Sequence, residues 1–236
     1  MKDRAPDWEM VADLLIRDIR GGRYKKDEKL PSENEMAARF SLPRADIRRV
    51  YGRLKELGCV YAMQGCGSFF AGVRDLIPLK MSGGSFSKKM REMGLICESK
   101  NVEARPIRYN PLIYEPLGLG AEERVWKVVR LRVLGREPAA VHISFLPEKE
   151  FPSLPWDARE ITSMADYFEK AGREECEIRD TQMRVSLLSP GERKMLGVQG
   201  PAQGLTLTAR QFAPDGETVL ELQRTVYRSD RFIFLL

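Results

Sequence analysis

Histidine is nearly missing from this chain. A single one, His142, stands among 236 residues, and the four cysteines (Cys59, Cys66, Cys97, Cys176) are scattered without C-x-x-C spacing. A His/Cys zinc site therefore has almost no material, and most acid–base enzyme mechanisms lose their usual residue. No run approaches the roughly 18 consecutive apolar residues that span a bilayer, and the start Met1-Lys2-Asp3-Arg4 lacks the apolar core of a signal peptide. A cytoplasmic protein with no membrane partner, no metal and no cofactor is expected. Internal repeats and low-complexity tracts are missing too.

What is there is ordinary globular composition, 43% hydrophobic and 31% charged, enough for one domain or two. The net charge of +5 is unevenly spread. Residues 1–72 hold 14 Lys/Arg against 11 Asp/Glu, residues 73–92 hold 5 against 2, and residues 93–236 hold 20 against 21. The basic excess lies in the first third, where a polyanionic partner would bind.

Residues 7–71 predict three helices and a hairpin. Trp8, Val11, Ala12, Leu15 and Ile19 share one helical face, started by Pro6-Asp7 and stopped by Gly21-Gly22. Ser32-Glu33-Asn34-Glu35 is an S-x-x-E capping box, with Met36, Ala37 and Phe40 behind it. After the break Ser41-Leu42-Pro43, the residues Ile47, Val50, Tyr51, Leu54 and Leu57 form a third stripe ended by Gly58. Val60–Met63 and Ser68–Ala71 flank the glycine tip Gln64-Gly65-Cys66-Gly67, a β-hairpin signal. The third helix turns a small, basic face outward, and residues 44–56 carry five positive side chains (Arg44, Arg48, Arg49, Arg53, Lys55) against Asp46 and Glu56. Alone, such a face is usually a solvated one. The tight turn before it and the wing after it favour major-groove reading, with Gln64 and Gly65 reaching the minor groove or backbone. Cys66 is read as a small filler.

Residues 72–84 lack periodicity and are expected to form a linker. Beyond them, helical stretches (Phe86–Met93, Met164–Ala171, Pro190–Leu196) alternate with β-rich runs (Val125–Val133, Ala139–Leu146, Gly204–Ala213, Val219–Val226), which predicts an α+β domain on an antiparallel sheet over 85–236. Arg130 and Arg132, two apart on a strand, point one way and can clamp an anion; the alternative is an ion-pair row with glutamates on a solvated face. His142 has small neighbours on its face, Ala140 and Ser144, which leave room for a ligand.

Leu30-Pro31-Ser32-Glu33, Arg44, Ile47-Arg48, Leu54-Lys55-Glu56-Leu57-Gly58 and Gln64-Gly65-Cys66-Gly67-Ser68-Phe69 resemble the winged helix-turn-helix of the GntR family of bacterial transcription regulators. The resemblance implies DNA contacts at Asn34, Arg44, Arg48 and Gly65, to which the exposed basic face adds Arg49 and the wing Gln64. Relatives commonly carry Arg where this chain has Asn34, and Ser/Thr-Arg-x-Thr where it has Pro43-Arg44-Ala45-Asp46. Pro43 removes a capping hydroxyl and a backbone donor, and Asp46 places a negative charge near phosphates, so an atypical operator or weaker binding is expected.

Gly84-Ser85-Phe86-Ser87, Arg130-Leu131-Arg132 with Arg136-Glu137-Pro138, Ser144-Phe145-Leu146-Pro147 and Glu221 with Tyr227-Arg228-Ser229-Asp230-Arg231-Phe232 resemble the UTRA ligand-binding domain of the HutC-like branch, whose fold is chorismate lyase-like. That resemblance implies effector contacts at Ser85, Phe86, Ser87, Arg130, Arg132, Ser163, Glu221 and Tyr227, with His142 where many relatives have Glu and Ala165 where sugar-phosphate binders often have an aromatic hydroxyl. The expected function is a homodimeric, ligand-responsive repressor of double-stranded operator DNA, released by a small anionic metabolite such as a phosphorylated sugar, phosphonate or carboxylate. The rivals are an enzyme acting on a small carboxylate, for which no nucleophile–base pair is visible, and a ligand-independent DNA-binding protein.

Overall fold

The computed structural model describes residues 7–56, 58–71, 76–81, 85–173 and 175–235. The chain divides into two compact units, Met1–Asp75 and Leu76–Leu236.

In the first unit each helix starts where a cap dictates. Helix α1 (Trp8–Arg20) is capped by Asp7, whose carboxylate accepts from Met10 N at 2.9 Å. Helix α2 (Glu33–Phe40) carries the full capping box: Glu35 N–H donates to Ser32 Oγ and Ser32 N–H to Glu35 Oε2. Helix α3 (Arg44–Glu56) follows Pro43, whose ring carries no capping group; the Pro43 carbonyl takes the N–H groups of Asp46 and Ile47. Ile47, Val50, Tyr51 and Leu54 of α3 close on Val11, Ala12, Leu15, Ile19 and Met36 to make one core. Leu57, the last member of the expected stripe, lies outside the described residues. Strands β1 (Val60–Met63) and β2 (Gly67–Phe70) pair antiparallel as the wing. Its tip needs Gly65 at φ +75 and Gly67 at φ +113, which glycine adopts without strain.

The second unit opens with a departure from the sequence reading. Of the stretch 72–84 expected to be an aperiodic linker, Ile77–Lys80 forms strand β3, with Leu79 buried; residues 72–75 and 82–84 lie outside the described residues. Then come α4 (Phe86–Glu92), β4 (Cys97–Pro106), α5 (Pro111–Tyr114), β5 (Val125–Leu134), β6 (Glu137–Pro147), α6 (Leu154–Asp157), α7 (Met164–Lys170), β7 (Glu177–Leu187), α8 (Pro190–Leu196), β8 (Gln203–Phe212), β9 (Val219–Arg228) and β10 (Phe232–Leu235). Six strands form one antiparallel sheet in the order β4-β5-β6-β9-β8-β7, while β10 pairs with β3 in parallel. Two of these strands, β4 and β7, carry no signal in the sequence reading, and both are sheet edges.

The register decides which side chains meet. Arg130 lies beside His142 and His142 beside Thr225; Arg132 lies beside Ala140 and Ala140 beside Tyr227. Period-2 alternation therefore puts Arg130, Arg132, His142, Ser144, Glu221, Gln223, Thr225 and Tyr227 on one face. The other face buries Val129, Val141, Ile143 and Val226 against Leu196 of α8 and Leu188. Helices α6 and α7 sit at one end of the polar face, packing Leu154, Met164 and Phe168 onto Trp126, Val128 and Leu220.

Candidate nucleic-acid interface and effector pocket

On the first unit, the side of α3 opposite its apolar stripe is open to solvent. Arg44, Arg48 and Arg49 keep 62%, 69% and 67% of their side-chain surface exposed. Arg44 and Arg48 converge on Glu33 Oε2, at 4.0 and 3.4 Å, so α2 and α3 together present two arginines from one point. Arg49 sits instead on Asp46 at 3.4 Å, which offsets the negative charge that the sequence places near phosphates. Asn34, Gln64 and Gly65 are exposed at the start of α2 and in the wing. Glu33 was not singled out as a site residue in the sequence; its signals are its place in the capping box, one residue after the cap, and in the Leu30-Pro31-Ser32-Glu33 motif.

In the second unit, a cavity of about 590 Å³ opens over the polar face of the sheet. All nine residues expected around an effector line it: Ser85, Phe86, Ser87, Arg130, Arg132, His142, Ser163, Glu221 and Tyr227. Strand β3 adds Leu79 and Lys80, Met81 follows it, and Lys89, Glu169, Gln211, Gln223 and Thr225 add to its polar lining; none of these was foreseen. For Gln223 and Thr225 the signal was available, since they alternate with Glu221 and Tyr227 along β9.

The polar centre of the cavity is buried and interlocked. Arg130 is fully buried and donates through Nη2 to Ser144 Oγ at 2.7 Å, while the Ser144 hydroxyl donates to Glu221 Oε1. Glu221, 1% exposed, also faces His142 Nε2 at 3.5 Å and Arg130 Nη2 at 4.0 Å. His142 Nδ1 bonds Thr225 Oγ1 at 2.8 Å. Arg132 donates to Ser87 Oγ at 3.2 Å and lies over the Phe86 ring. The solvated ion-pair row is thereby excluded: both arginines are buried, and a single carboxylate stands between them and charge balance.

Protonation follows from burial. Desolvation, helped by the Arg130 charge, pushes His142 down to about 4, so the imidazole is neutral near pH 7. Burial works to raise the Glu221 carboxyl, but the nearby His142 ring, the Arg130 guanidinium and the Ser144 hydroxyl hold it below its ordinary value. Burial lifts the Tyr227 phenol to about 12, leaving it a neutral donor. With Glu221 ionised and His142 neutral, Arg130 and Arg132 leave one buried positive charge in excess. Among the described residues, Arg130 Nε and Nη1, Arg132 Nε and His142 Nε2 have no hydrogen-bond partner. Such donors are costly unless something negative meets them.

Helix α4 has only seven residues, and its first free N–H groups are partly spoken for, since Lys88 N donates to the Ser85 hydroxyl. The Ser163 hydroxyl is similarly occupied by Asp166 N at the start of α7. The cavity's pull on an anion therefore resides in the arginines. Among the described residues, no group of three or more His, Cys, Asp and Glu is placed to hold a metal ion, and no helix is long and apolar enough to cross a membrane.

Comparison with known proteins agrees with both halves of this architecture. Residues 8–70 match the model for bacterial regulatory proteins of the gntR family, and residues 92–233 match the UTRA domain. The chain is 25% identical over 231 residues to the HTH-type transcriptional repressor NagR of Bacillus subtilis, covering 98% of this chain and 93% of that one. It is 24% identical over 236 residues to the mannosyl-D-glycerate transport/metabolism system repressor MngR of Escherichia coli, covering 98% and 95%. The crystal structure of PhnF from Mycobacterium smegmatis shares the fold, with a TM-score of 0.60 at 21% identity over 95% of this chain and 97% of that one. A winged helix-turn-helix joined to a UTRA domain makes this chain a member of the GntR family of bacterial DNA-binding transcription regulators, in its UTRA-containing, HutC-like branch.

Proposed function

We propose that this protein is a cytoplasmic repressor that binds operator DNA as a homodimer and is released when a small anionic metabolite enters the cavity of the UTRA domain. The observation that carries the ligand class is the excess buried charge: two buried arginines share one carboxylate, and three of their donor nitrogens have no hydrogen-bond partner among the described residues. A phosphate, phosphonate or carboxylate group would satisfy these donors and the charge together. The named relatives support the repressor reading, since NagR and MngR are both called repressors. An enzyme is disfavoured by how the polar groups are used. The two hydroxyl–base pairs present, Ser144 with Glu221 and Thr225 with His142, are buried and locked into one network with Arg130, so their hydrogen bonds hold the sheet face together and do not leave a hydroxyl standing free toward a substrate.

Asn34, Arg44, Arg48, Arg49, Gln64 and Gly65 are proposed to meet the DNA. Arg44 and Arg48, aimed from one point by Glu33, suit bidentate contacts to guanine or phosphate. Ser85, Phe86, Ser87, Ser163 and Tyr227 are proposed to frame the effector around the arginines, with His142 and Glu221 meeting its neutral polar groups. The test uses a DNA site selected from a random library and a panel of phosphorylated sugars, phosphonates and carboxylates. At least one compound should raise the melting temperature and weaken DNA binding. Arg130→Ala and Arg132→Ala should bind the same DNA and ignore that compound, a super-repressor phenotype. Loss of DNA binding together with thermal stability in both variants would make the arginines structural and sink the effector assignment.

A further inference from the structure

The charges around the cavity are distributed unevenly over its walls. On the sheet Arg130 and Arg132 face Glu221, on α7 stands the exposed Glu169, and the wall built by β3 and α4 carries Lys80 and Lys89 with no acidic side chain of its own among the lining residues. Among the described residues the lining thus holds four positive side chains against two negative ones. Lys89 is the cation of that wall that is partly buried. Its Nζ donates to the backbone carbonyl of Lys80 at 2.8 Å, and among the described residues it makes no other hydrogen bond and no ion pair. An ammonium has three donors, so two of them have no protein partner there. Burial holds this amine below the ordinary lysine value against the pull of Glu92, which acts on it without forming an ion pair.

The turn of α4 separates Lys89 from the arginines. Ser87, which accepts from Arg132 Nη1, and Lys89 lie about 200° apart around the helix axis at roughly 100° per residue. Ser85 and Lys89, four residues apart, share a side instead. All three line the cavity, so α4 offers it an arginine side through Ser87 and a lysine side through Ser85.

We propose that Lys89 is a second anion-binding residue of this cavity, and that the effector therefore carries two separate anionic groups, one held by Arg130 and Arg132 and the other by Lys89. The inference rests on the anionic-effector reading above and narrows its ligand class. One phosphate or carboxylate at the arginines meets the buried excess on the sheet and leaves the ammonium of the opposite wall without a counter-charge. A second such group on the same molecule meets both. The bond to the Lys80 carbonyl need not break, because the two remaining donors suffice for an anion. A cavity of about 590 Å³ is of the size that encloses a small metabolite with groups at both ends. The competing account is that Lys89 serves only to tie α4 to β3.

Matched phosphonates decide between them on the full chain. Phosphonoacetate, 3-phosphonopropionate and 4-phosphonobutyrate are compared with ethyl-, propyl- and butylphosphonate, in which a methyl group replaces the carboxylate at the same chain length. Phosphorus NMR titration, which registers millimolar binding, should show at least one carboxylate-bearing member binding wild-type protein about tenfold more tightly than its partner. Lys89→Gln keeps a donor for the Lys80 carbonyl and removes the charge. It should melt like the wild type, bind DNA as before and reduce that advantage to about twofold or less. Lys80→Gln, on the same wall but exposed, should keep most of it. If Lys89→Gln melts early, the ratio within each pair still decides, since a tie between elements does not distinguish a carboxylate from a methyl group. Equal affinities within every pair, an advantage that survives Lys89→Gln, or an equal loss in Lys80→Gln, which would mark a diffuse field, would each overturn the proposal. Equal binding within the pairs would leave the anionic effector standing and remove only its second anchor. No binding of any phosphonate to the wild type would instead bring down the anion reading of the arginines and this proposal with it.

Discussion

Because His142 is the chain's sole histidine, its titration can be seen without interference from another imidazole. Its ordinary value of 6.5 falls to about 4 in the folded protein, so between these values the unfolded chain holds the extra proton. Stability is therefore complete above about pH 6.5 and declines as the pH falls, by about 2 kcal/mol at pH 5. The shifted carboxylates, Glu221 among them, act only below about pH 4.5, where the window of their lowered values begins. Denaturant unfolding at pH 7 and pH 5 should show this loss in the wild type and little of it in His142→Asn; an equal loss in both would mean the imidazole is not held neutral. On the DNA side, Arg48 and Arg49 are adjacent yet differently engaged. Arg48→Ala should weaken operator binding by about 1–3 kcal/mol if it contacts a base, with no loss of folding because the side chain lies off the apolar stripe. Arg49→Ala should cost less, since Arg49 is paired with Asp46. A wild-type affinity for Arg48→Ala would remove α3 from the reading surface.

At the scale of elements, β3 supplies one wall of the cavity and is held there by β10, which comes from the other end of the second unit. Phe232 is its keystone by burial: 3% exposed, with ring contacts to Phe86, Tyr227 and Phe234. Phe232→Ala should destabilise the second unit by about 3–5 kcal/mol and blunt the thermal response to effector, because Phe86 and Tyr227 lose a shared support. A melting curve with wild-type midpoint would show that the wall collapses without cost. The same pair explains what was hard to read in sequence. The helices of the first unit are legible because each is punctuated locally, by Asp7, by Ser32 with Glu35, and by glycines. The buried strands β5, β6, β8 and β9 are legible as β-branched and aromatic runs. Strand β3 is only four residues with a proline inside, and its partner lies about 150 residues away, so nothing local announces it. Strands β4 and β7, exposed on edges, need no apolar run and show none. Of the cavity residues, Arg130 and Arg132 were legible through period-2 spacing and His142 through its small neighbours, whereas Ser85, Phe86, Ser87, Ser163, Glu221 and Tyr227 followed from the family resemblance. Lys80 and Met81 were missed with the strand that brings them, and Lys89 because exposed-looking lysines on a short helix carry no pattern.

For the whole molecule, the question is how an occupied cavity reaches the DNA-binding unit, and β3 changes the answer that the sequence suggests. A connector running through 72–84 would place its free length next to α4. In fact β3 is pinned to β10 and supplies Leu79 and Lys80 to the cavity, with Met81 following it, and the units divide between Asp75 and Leu76. An effector that contacts the β3 wall therefore acts on the residue stretch leading straight to the division. Linkage fixes the form of the effect: whatever factor the effector removes from DNA affinity, DNA removes from effector affinity, typically about 1–3 kcal/mol of coupling. Inserting several Gly/Ser residues after Asp75 should weaken that coupling, because a longer flexible tether relaxes the spacing that the two units impose on each other. Effector affinity for the free protein should stay near wild type, since the cavity lies wholly within the second unit. The same insertion after Gly83 falls between β3 and α4 and should instead perturb effector binding itself. Titrating effector against free and DNA-bound protein for both insertions separates the two cases, and full coupling in the Asp75 insertion would show that the signal does not pass along the chain at that point.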